Sequence, residues 1–397
     1  MSIFEKTRAA FHLPPGVIYL DGNSLGPLPK AAEARVANLL KDEWGQELIR
    51  GWNTCGWMAQ PDRVGDRIAR LIGAAPGTVS VGDTLSIKVH QALHAALQLQ
   101  PDRREILTCS GNFPSDIYIA EGLIETLGKG HTLKIVAPED VAQNLTRETA
   151  ALMLTEVDYR TGRLHDMATL TAQAHTLGIP TIWDLAHSTG AIPVDVEGAD
   201  ADFAVGCTYK YLNGGPGAPA FLYAKPDLAE RIMPSLPGWL GHAAPFDFEP
   251  SYRPGPARTR MRIGTPPVIA MAALEAALDI FEMTDMATIR ARSIALTERF
   301  IAGVEAATPE LKLVSPRNPA ERGSQISFAH PEGYAAMQTL IARGVIGDFR
   351  APDIMRFGFA PLYNTEADID QAIDHIAEVI TQSLYEAPEH QIRHAVT

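Results

Sequence analysis

The sequence predicts an α/β protein, in which a large domain with a mostly parallel sheet flanked by helices is followed by a smaller C-terminal α/β domain. Three observations support this fold class. The chain has 397 residues, more than one hydrophobic core usually serves. Between residues 75 and 224, short apolar runs alternate with amphipathic stretches, a pattern typical of right-handed crossover connections. A second series of strand and helix patterns follows a loop region at 234–267 that is rich in Pro and Gly.

The elements of the large domain can be assigned in chain order. Because ligands bind beyond the carboxyl ends of parallel strands, the residues that end the strands are the first candidates for a site. Apolar runs predict strands at 106–109, 133–137, 152–157, 181–184, 203–207 and 220–223, and helical periodicity predicts helices at 87–97, 117–127 and 167–177.

The C-terminal series predicts a separate small domain. Its patterns are helices at 267–282 and 285–307, strands at 311–314 and 325–329, a helix at 332–343, strands at 345–349 and 354–359, and a helix at 366–384. We therefore predict a large domain at 55–266 and a small domain at 267–397. Residues 1–54 are predicted to be an N-terminal segment that packs with the small domain and a dimer interface.

Composition excludes several classes of protein. A formal net charge of −13 argues against a nucleic-acid partner. The three cysteines, Cys55, Cys109 and Cys207, are widely spaced and form no CxxC pair, which indicates a reducing compartment and predicts no metal site. The start of the sequence lacks the apolar core of a signal peptide, and no apolar run approaches the roughly 20 residues that span a bilayer. We expect a cytoplasmic protein that does not enter membranes.

The most informative segment is CTYKYLN at 207–213, which leads into the glycine-rich run at 214–217. It places Lys210 at the end of an apolar run, where desolvation favours the neutral amine that Schiff-base chemistry with an aldehyde requires. Asp184 ends the preceding apolar run of the predicted sheet and can hold a protonated pyridine nitrogen. A lysine with such an acid upstream is the arrangement that enzymes using pyridoxal 5′-phosphate (PLP) share.

Two strand-to-helix turns are candidate cofactor contacts. GDTLS at 82–86 offers the backbone N–H groups and hydroxyls that a phosphate needs, although taken alone it is better explained as the N-cap of a core helix. The turn that contains Phe113 could stack an aromatic ring on the cofactor. The alternative explanation is that Ser115 or Asp116 caps the next helix.

Two further polar side chains flank the acid and the lysine. His187 lies three residues after Asp184, and it either stacks on the cofactor ring, orients Asp184 or forms a structural hydrogen bond. Tyr209 precedes the lysine directly, and it either donates to the phosphate, relays protons or packs. The residues alone do not choose among these alternatives.

At these motifs the chain resembles the kynureninase family. Members of this family are PLP-dependent hydrolases of fold type I, in the class V aminotransferase group, which split L-kynurenine into anthranilate and L-alanine in tryptophan catabolism. The resemblance runs nearly end to end and implies a small-molecule substrate. It rests on LDGNSLG at 20–26, FPSD at 113–116, WDLAH at 183–187, CTYKYLN at 207–213, GWLGH at 238–242 and PLYN at 361–364.

The resemblance implies a role for each candidate residue around the cofactor. Lys210 would bind the cofactor and act as the base at Cα, and Asp184 would pair with the pyridinium nitrogen, with Asp116 nearby. We interpret Tyr209 as the residue that relays a proton to the three-carbon product. The other implied cofactor contacts are Leu85, Ser86, Phe113, Pro114, Ser115, Thr155, His187, Trp239 and Thr265. In a homodimer with shared active sites, Trp239 and Thr265 would come from the partner subunit.

The resemblance also implies a substrate site. Arg356 would bind the substrate α-carboxylate, because its planar fork offers two parallel donors. Asn23 and Ser24 are assigned to the same site. Trp52 would lie near the aryl ring, where its apolar face favours kynurenine over 3-hydroxykynurenine. Thr265 keeps a hydroxyl donor where the family often has Asn, with a shorter reach.

Three other functions are alternatives to the hydrolase that the resemblance implies. A desulfurase needs a cysteine nucleophile in the C-terminal part of the chain, and no Cys follows Cys207. An aminotransferase of the same class is not excluded by the pair of Asp184 and Lys210. The chain could also be an inactive, cofactor-free partner protein, which a yellow purified protein would exclude.

Overall fold

The N-terminal segment of the structure, a computed structural model that describes residues 1–393, connects the two larger parts of the chain. Its elements are α1 (Ile3–Ala9), β1 (Ile18–Tyr19), α2 (Lys30–Asn38), α3 (Gly45–Glu47) and α4 (Gly51–Thr54). Ser2 caps α1, since its hydroxyl accepts a hydrogen bond from the backbone N–H of Glu5. The last four residues of the predicted small domain lie outside the described residues.

A seven-stranded sheet forms the centre of the large part, in the order β2-β8-β7-β6-β5-β3-β4. Strands β3 to β7 are parallel to one another, whereas β8 is antiparallel to both β7 and β2. The predicted mostly parallel α/β fold is therefore confirmed. The strands are β2 (Val79–Val81), β3 (Glu105–Cys109), β4 (Thr132–Val136), β5 (Thr149–Thr155), β6 (Thr181–Asp184), β7 (Phe203–Gly206) and β8 (Phe221–Ala224).

Helices cover both faces of this sheet, with two apolar clusters between the layers. They are α5 (Gln60–Leu71), α6 (Leu85–Leu99), α7 (Pro114–Leu127), α8 (Met167–Thr176), α9 (Pro226–Ala229), α10 (Ala257–Arg260) and α11 (Val268–Leu278). Strand β2, a three-residue strand at the sheet edge, was not predicted, because so short a run has no visible periodicity. Helix α6 begins at Leu85, two residues before the predicted start, which brings Ser86 into its first turn.

The C-terminal part contains a second, antiparallel sheet in the order β12-β13-β10-β9, packed against three helices with its own apolar core. Its elements are α12 (Met286–Ala307), β9 (Lys312–Leu313), β10 (Gln325–Ala329), α13 (Gly333–Ala342), β11 (Val345–Ile346), β12 (Asp348–Arg350), β13 (Ile354–Gly358) and α14 (Glu366–Thr381).

The strand predicted at 345–349 is wrong, because the chain forms two strands separated by Gly347. A Cβ at this glycine would lie 2.8 Å from the carbonyl oxygen of Arg356, so the backbones approach closely only without a side chain. Strand β11 pairs with β1, which joins the N-terminal segment to the C-terminal part. Strand β12 pairs with β13 instead, and Asp348 lies opposite Arg356.

The N-terminal segment packs against both cores. Ile18 and Leu20 belong to the C-terminal core, while Phe11 belongs to the large one. Arg8 donates a 2.7 Å hydrogen bond to Asp368 in the first turn of α14. The exact domain boundaries stay a prediction. Within residues 1–393, no helix is long and apolar enough to cross a membrane, and no group of three or more His, Cys, Asp and Glu residues is arranged to hold a metal ion.

Candidate active site

The ends of three neighbouring strands bring the predicted site residues together. Thr155 ends β5 and Asp184 ends β6, and the two residues are paired in the parallel ladder. Lys210 lies in the loop that follows β7, the next strand of the sheet. The predicted position at the carboxyl edge of the sheet therefore follows from the order of the strands.

The side chain of Lys210 is surrounded by three of the predicted residues. Its Nζ lies 2.9 Å from Nε2 of His187, 5.7 Å from the ring centroid of Phe113 and 5.9 Å from that of Tyr209. Phe113 is 39% exposed, so part of this residue remains accessible to a ligand. These contacts place an amine beside two aromatic rings and an imidazole.

The loop that carries Lys210 packs directly on the N-terminal segment. The backbone N–H of Gly26 donates a 2.8 Å hydrogen bond to the carbonyl oxygen of Tyr209. A Cβ at Gly26 would lie 2.6 Å from the carbonyl oxygen of Lys210, so only glycine fits. The LDGNSLG segment thus orients the lysine loop.

Asp184 and Asp116 form a buried pair of acids next to the lysine. Burial is the main cause of a raised pKa in both. The charge of Asp184 raises the pKa of Asp116 further, whereas Lys210 and the backbone N–H of Ala186, 2.9 Å from Oδ1, oppose the rise of the Asp184 pKa. The pKa of Asp116 is therefore raised more strongly than that of Asp184, which favours the proton on Asp116 and the negative charge on Asp184.

His187 is a neutral imidazole. Burial, and then the positive charge of Lys210, lower its pKa well below the ordinary value. Its Nδ1, Oγ1 of Thr155 and Oδ2 of Asp116 are buried and have no hydrogen-bond partner within residues 1–393. Since buried polar atoms are nearly always paired, these three atoms indicate where a polar ligand binds.

Two helices begin at the site without side-chain caps. The N-cap residues Thr84 of α6 and Phe113 of α7 form no capping hydrogen bond, and neither Ser115 nor Asp116 is a cap. Thr84 thus occupies the predicted N-cap position of α6 without a side-chain hydrogen bond, whereas the explanation of Ser115 or Asp116 as the cap of α7 is wrong. The hydroxyls of Ser86 and Ser115 lie 3.2 Å apart, beside the first residues Leu85 and Pro114. Free N–H groups and two hydroxyls suit a phosphate.

Arg356 is almost fully buried, and four of its five N–H groups are engaged. Asp348 accepts from Nε at 2.6 Å and also from Nη2. The carbonyl oxygen of Tyr159 accepts from Nη1 at 2.6 Å, and Oγ of Ser24 accepts from Nη2 at 3.0 Å. The structure thus brings Ser24 to the arginine, as predicted. Asn23 is buried nearby and donates to Gln325 at 3.2 Å.

Within residues 1–393, three predicted residues form no hydrogen bond or ring contact with Lys210 or Arg356. The ring of Trp52 packs edge-on against that of Trp57, with centroids 5.5 Å apart. The ring of Trp239 packs edge-on against that of Phe246 at 5.8 Å. Thr265 lies beside Asp83 in a small cavity near the start of α6.

Three residues near Arg356 and Phe113 were not predicted from the sequence: Asp348, Arg350 and Tyr159. Arg350 bonds Oδ2 of Asp348 at 2.7 Å, and the Tyr159 ring packs edge-on against Phe113 at 5.2 Å. A signal was present, because two charges interrupt an apolar run at 345–350. Charged residues in such a run are expected to be paired or functional.

The residues at the sheet edge fit PLP. Lys210 supplies an amine for its aldehyde, Asp184 an anion for its ring nitrogen, and Phe113 an aromatic face. The uncapped starts of α6 and α7 suit its phosphate, and the three unpartnered polar atoms accommodate its polar substituents. Fold and site together define a PLP-dependent enzyme of fold type I.

Comparisons with known proteins support this class and narrow it. The fold resembles the apo cysteine desulfurase of Thermococcus onnurineus NA1 with a TM-score of 0.82 and 19% identity, covering 96% of this chain and 99% of that one. It also resembles cysteine desulfurase CsdA of Escherichia coli, with a TM-score of 0.76 and 20% identity over 96% and 98% of the two chains. At these identities the likeness concerns the fold alone.

Closer relatives are kynureninases. The chain is 51% identical to the kynureninase of Pseudomonas fluorescens and 50% identical to that of Burkholderia pseudomallei strain 1106a, covering 98% of this chain and 95% of each relative. Residues 289–376 match the model of the kynureninase C-terminal domain. The chain belongs to the kynureninase family.

Proposed function

We propose that the protein cleaves the Cβ–Cγ bond of L-kynurenine with water, producing anthranilate and L-alanine. The observation that carries this proposal is the cluster of Lys210, Asp184 and Asp116 at one sheet edge. Arg356 is close enough to this cluster for its charge to lower the pKa of His187. An amino acid with a carboxylate can thus meet both the amine and the guanidinium.

Each residue of the cluster has a role in positioning or proton transfer. When bound, PLP supplies an electron sink that makes bonds near Cα labile. Lys210 would hold the cofactor, and its Nζ, once released, would remove the Cα proton, while Asp184 would keep the ring nitrogen protonated. Neutral His187 accepts a hydrogen bond from Nζ and adds no competing positive charge.

Tyr209 is the proposed proton donor to the three-carbon fragment. Burial raises the pKa of its hydroxyl, and the nearby charges raise it further, so the group remains protonated at neutral pH. A protonated hydroxyl beside Lys210 can donate where a carbanion is formed. Trp52 is proposed to contact the aryl ring and to favour kynurenine over 3-hydroxykynurenine.

Product analysis tests the proposal. Purified holoenzyme mixed with L-kynurenine should release fluorescent anthranilate and L-alanine in equal amounts, with no need for a 2-oxo acid. An aminotransferase would instead require a 2-oxo acid and release no anthranilate. Comparing kynurenine with 3-hydroxykynurenine in wild type and Trp52→His tests the aryl preference, which should shift towards the hydroxylated substrate in the variant.

Replacing Arg356 by lysine should raise the KM for L-kynurenine at least about tenfold and lower kcat less. Lysine keeps the charge but loses the planar fork, a contact made in both the ground state and the transition state. Tenfold corresponds to about 1.4 kcal/mol. Steady-state kinetics measures both constants, and an unchanged KM would remove Arg356 from the carboxylate site.

We also propose a homodimer with shared active sites, in the cytoplasm, as the free cysteines suggest. An aromatic cluster of Trp239, Phe246 and Phe248 supports the dimer, since these side chains are 40%, 61% and 78% exposed. Soluble chains rarely leave such aromatic groups uncovered unless they form an interface. Trp239 and Thr265 would then contact the cofactor phosphate in the site of the other subunit.

Mixing two inactive variants tests the shared site. Hybrids of Lys210→Ala and Trp239→Ala subunits should recover activity, because one of the two sites in each hybrid carries neither substitution. Activity per confirmed hybrid, after separation by two affinity tags, is the measurement. Mixed Lys210→Ala subunits carrying both tags serve as the control and should stay inactive. A monomeric wild type, or hybrids without activity, would contradict the shared site.

A further inference from the structure

Asp348 has no part in the proton transfers proposed above, yet it makes the strongest contacts of Arg356. The two residues lie opposite each other on β12 and β13, and each side chain is 1% exposed. Both oxygens of Asp348 accept from the Nε and Nη2 edge of the guanidinium. A buried pair of this geometry fixes the plane of the arginine side chain.

The fork with Asp348 leaves Nη1 and the second hydrogen of Nη2 for other partners. Nη1 donates to the carbonyl oxygen of Tyr159, and Nη2 donates to Oγ of Ser24. The Ser24 hydroxyl in turn donates to Oδ2 of Asp348 at 2.8 Å. A hydroxyl is the easiest of these partners to displace, so an amino-acid carboxylate can replace it at Nη2.

The charged residues around Arg356 also suit one additional anion. Arg350 bonds Asp348 at 2.7 Å as well, so one carboxylate serves two guanidinium groups. Asp21 lies close enough to these three residues for their charges to affect its pKa. Its Oδ1 is buried and has no hydrogen-bond partner within residues 1–393. Burial and the charge of Asp348 raise the pKa of Asp21 to about 7. With Asp21 protonated, the positive charges of Arg350 and Arg356 exceed the single negative charge of Asp348.

We propose that Asp348 is a positioning residue for substrate recognition, which holds the Nη1 and Nη2 edge of Arg356 towards the amino-acid carboxylate. The inference rests on the proposed function, because it assumes an amino-acid ligand. Asp348 acts through Arg356 and does not itself touch the substrate.

Two effects of removing the Asp348 charge oppose each other. Losing a negative charge would by itself attract an anion. However, the charge of Asp348 is, after burial, a cause of the raised pKa of Asp21, so Asp21 ionises more readily without it and offsets part of this gain. We expect the lost orientation of Arg356 to outweigh the rest, so that carboxylate binding weakens.

Calorimetric titration of the holoenzyme with L-alanine and with ethylamine, which lacks the carboxylate, tests the inference. Asp348→Asn should weaken L-alanine binding at least about tenfold and leave ethylamine binding unchanged, with the KM for L-kynurenine raised more than kcat is lowered. Asp348→Glu, which keeps the charge but moves the fork, should also weaken L-alanine binding, and it serves if the asparagine variant does not fold.

Asp370→Asn is the matched control. Asp370 forms the same two-bond fork with Arg299, on the surface between α12 and α14, and its loss should change neither ligand. Unchanged L-alanine binding in the Asp348 variants, or equal losses for both ligands, would overturn the positioning role. If wild type releases no anthranilate from L-kynurenine while the Asp348 variants lose L-alanine binding and keep ethylamine binding, the proposed function fails and the positioning role stands.

Discussion

Replacing Lys210 by alanine is expected to lower turnover of L-kynurenine at least about 10,000-fold, which corresponds to a barrier increase of about 5.4 kcal/mol. The same amine holds the cofactor and removes the Cα proton, so one substitution removes both functions. The fold should remain, because the Lys210 side chain is only half-buried and, within residues 1–393, its Nζ forms a single hydrogen bond, to His187.

Single-turnover and steady-state assays of anthranilate release, with thermal unfolding measured in parallel, provide the test. Lys134→Ala is a suitable control, since this lysine is on the outer strand β4 and pairs with Glu105 at 3.6 Å, away from the site. Activity of the Lys210 variant within about tenfold of wild type would remove Lys210 from its proposed role.

Replacing Asp184 by asparagine should retain some cofactor but lower kcat about 100-fold or more, at least about 2.7 kcal/mol. An amide cannot stabilise a positive charge on the ring nitrogen, so the electron sink weakens. Some residual activity is expected, because the charge of Asp184, which after burial is a cause of the raised pKa of Asp116, disappears and Asp116 ionises more readily.

Asp116→Asn is the matched comparison for Asp184→Asn. In the intact pair the more strongly raised pKa of Asp116 favours its neutral acid, which a neutral amide resembles, so kcat should change by less than about tenfold. Steady-state kinetics and the visible absorbance of bound cofactor distinguish the two variants. A larger loss in the Asp116 variant than in the Asp184 variant would reverse the assignment of the anion.

Much of the site was accessible from sequence because parallel strands share an edge. Asp184 and Lys210 each follow an apolar run, and the alternation of strands and helices was enough to predict that they meet. The observed pairing of β5, β6 and β7 has the required order. The prediction worked because it depended on the ends of strands and not on their register.

Other parts of the site depend on register and on contacts between distant segments. The contact between Asp348 and Arg356 requires that the strand be interrupted at Gly347, and the continuous apolar pattern gives no sign of this interruption. Ser24 meets this pair only because β1 pairs with β11, far along the chain. Single-sequence patterns describe one segment at a time, so they could not predict this cluster.

The central claim, hydrolytic cleavage of L-kynurenine, is tested most directly by running the reaction in water labelled with oxygen-18. Addition of water to the γ-carbonyl and cleavage of the Cβ–Cγ bond place one oxygen atom from water in the carboxylate of anthranilate. We predict anthranilate with one labelled oxygen, formed together with unlabelled L-alanine and without a 2-oxo acid. Anthranilate without the label, or no anthranilate from a fully loaded holoenzyme, would contradict the claim.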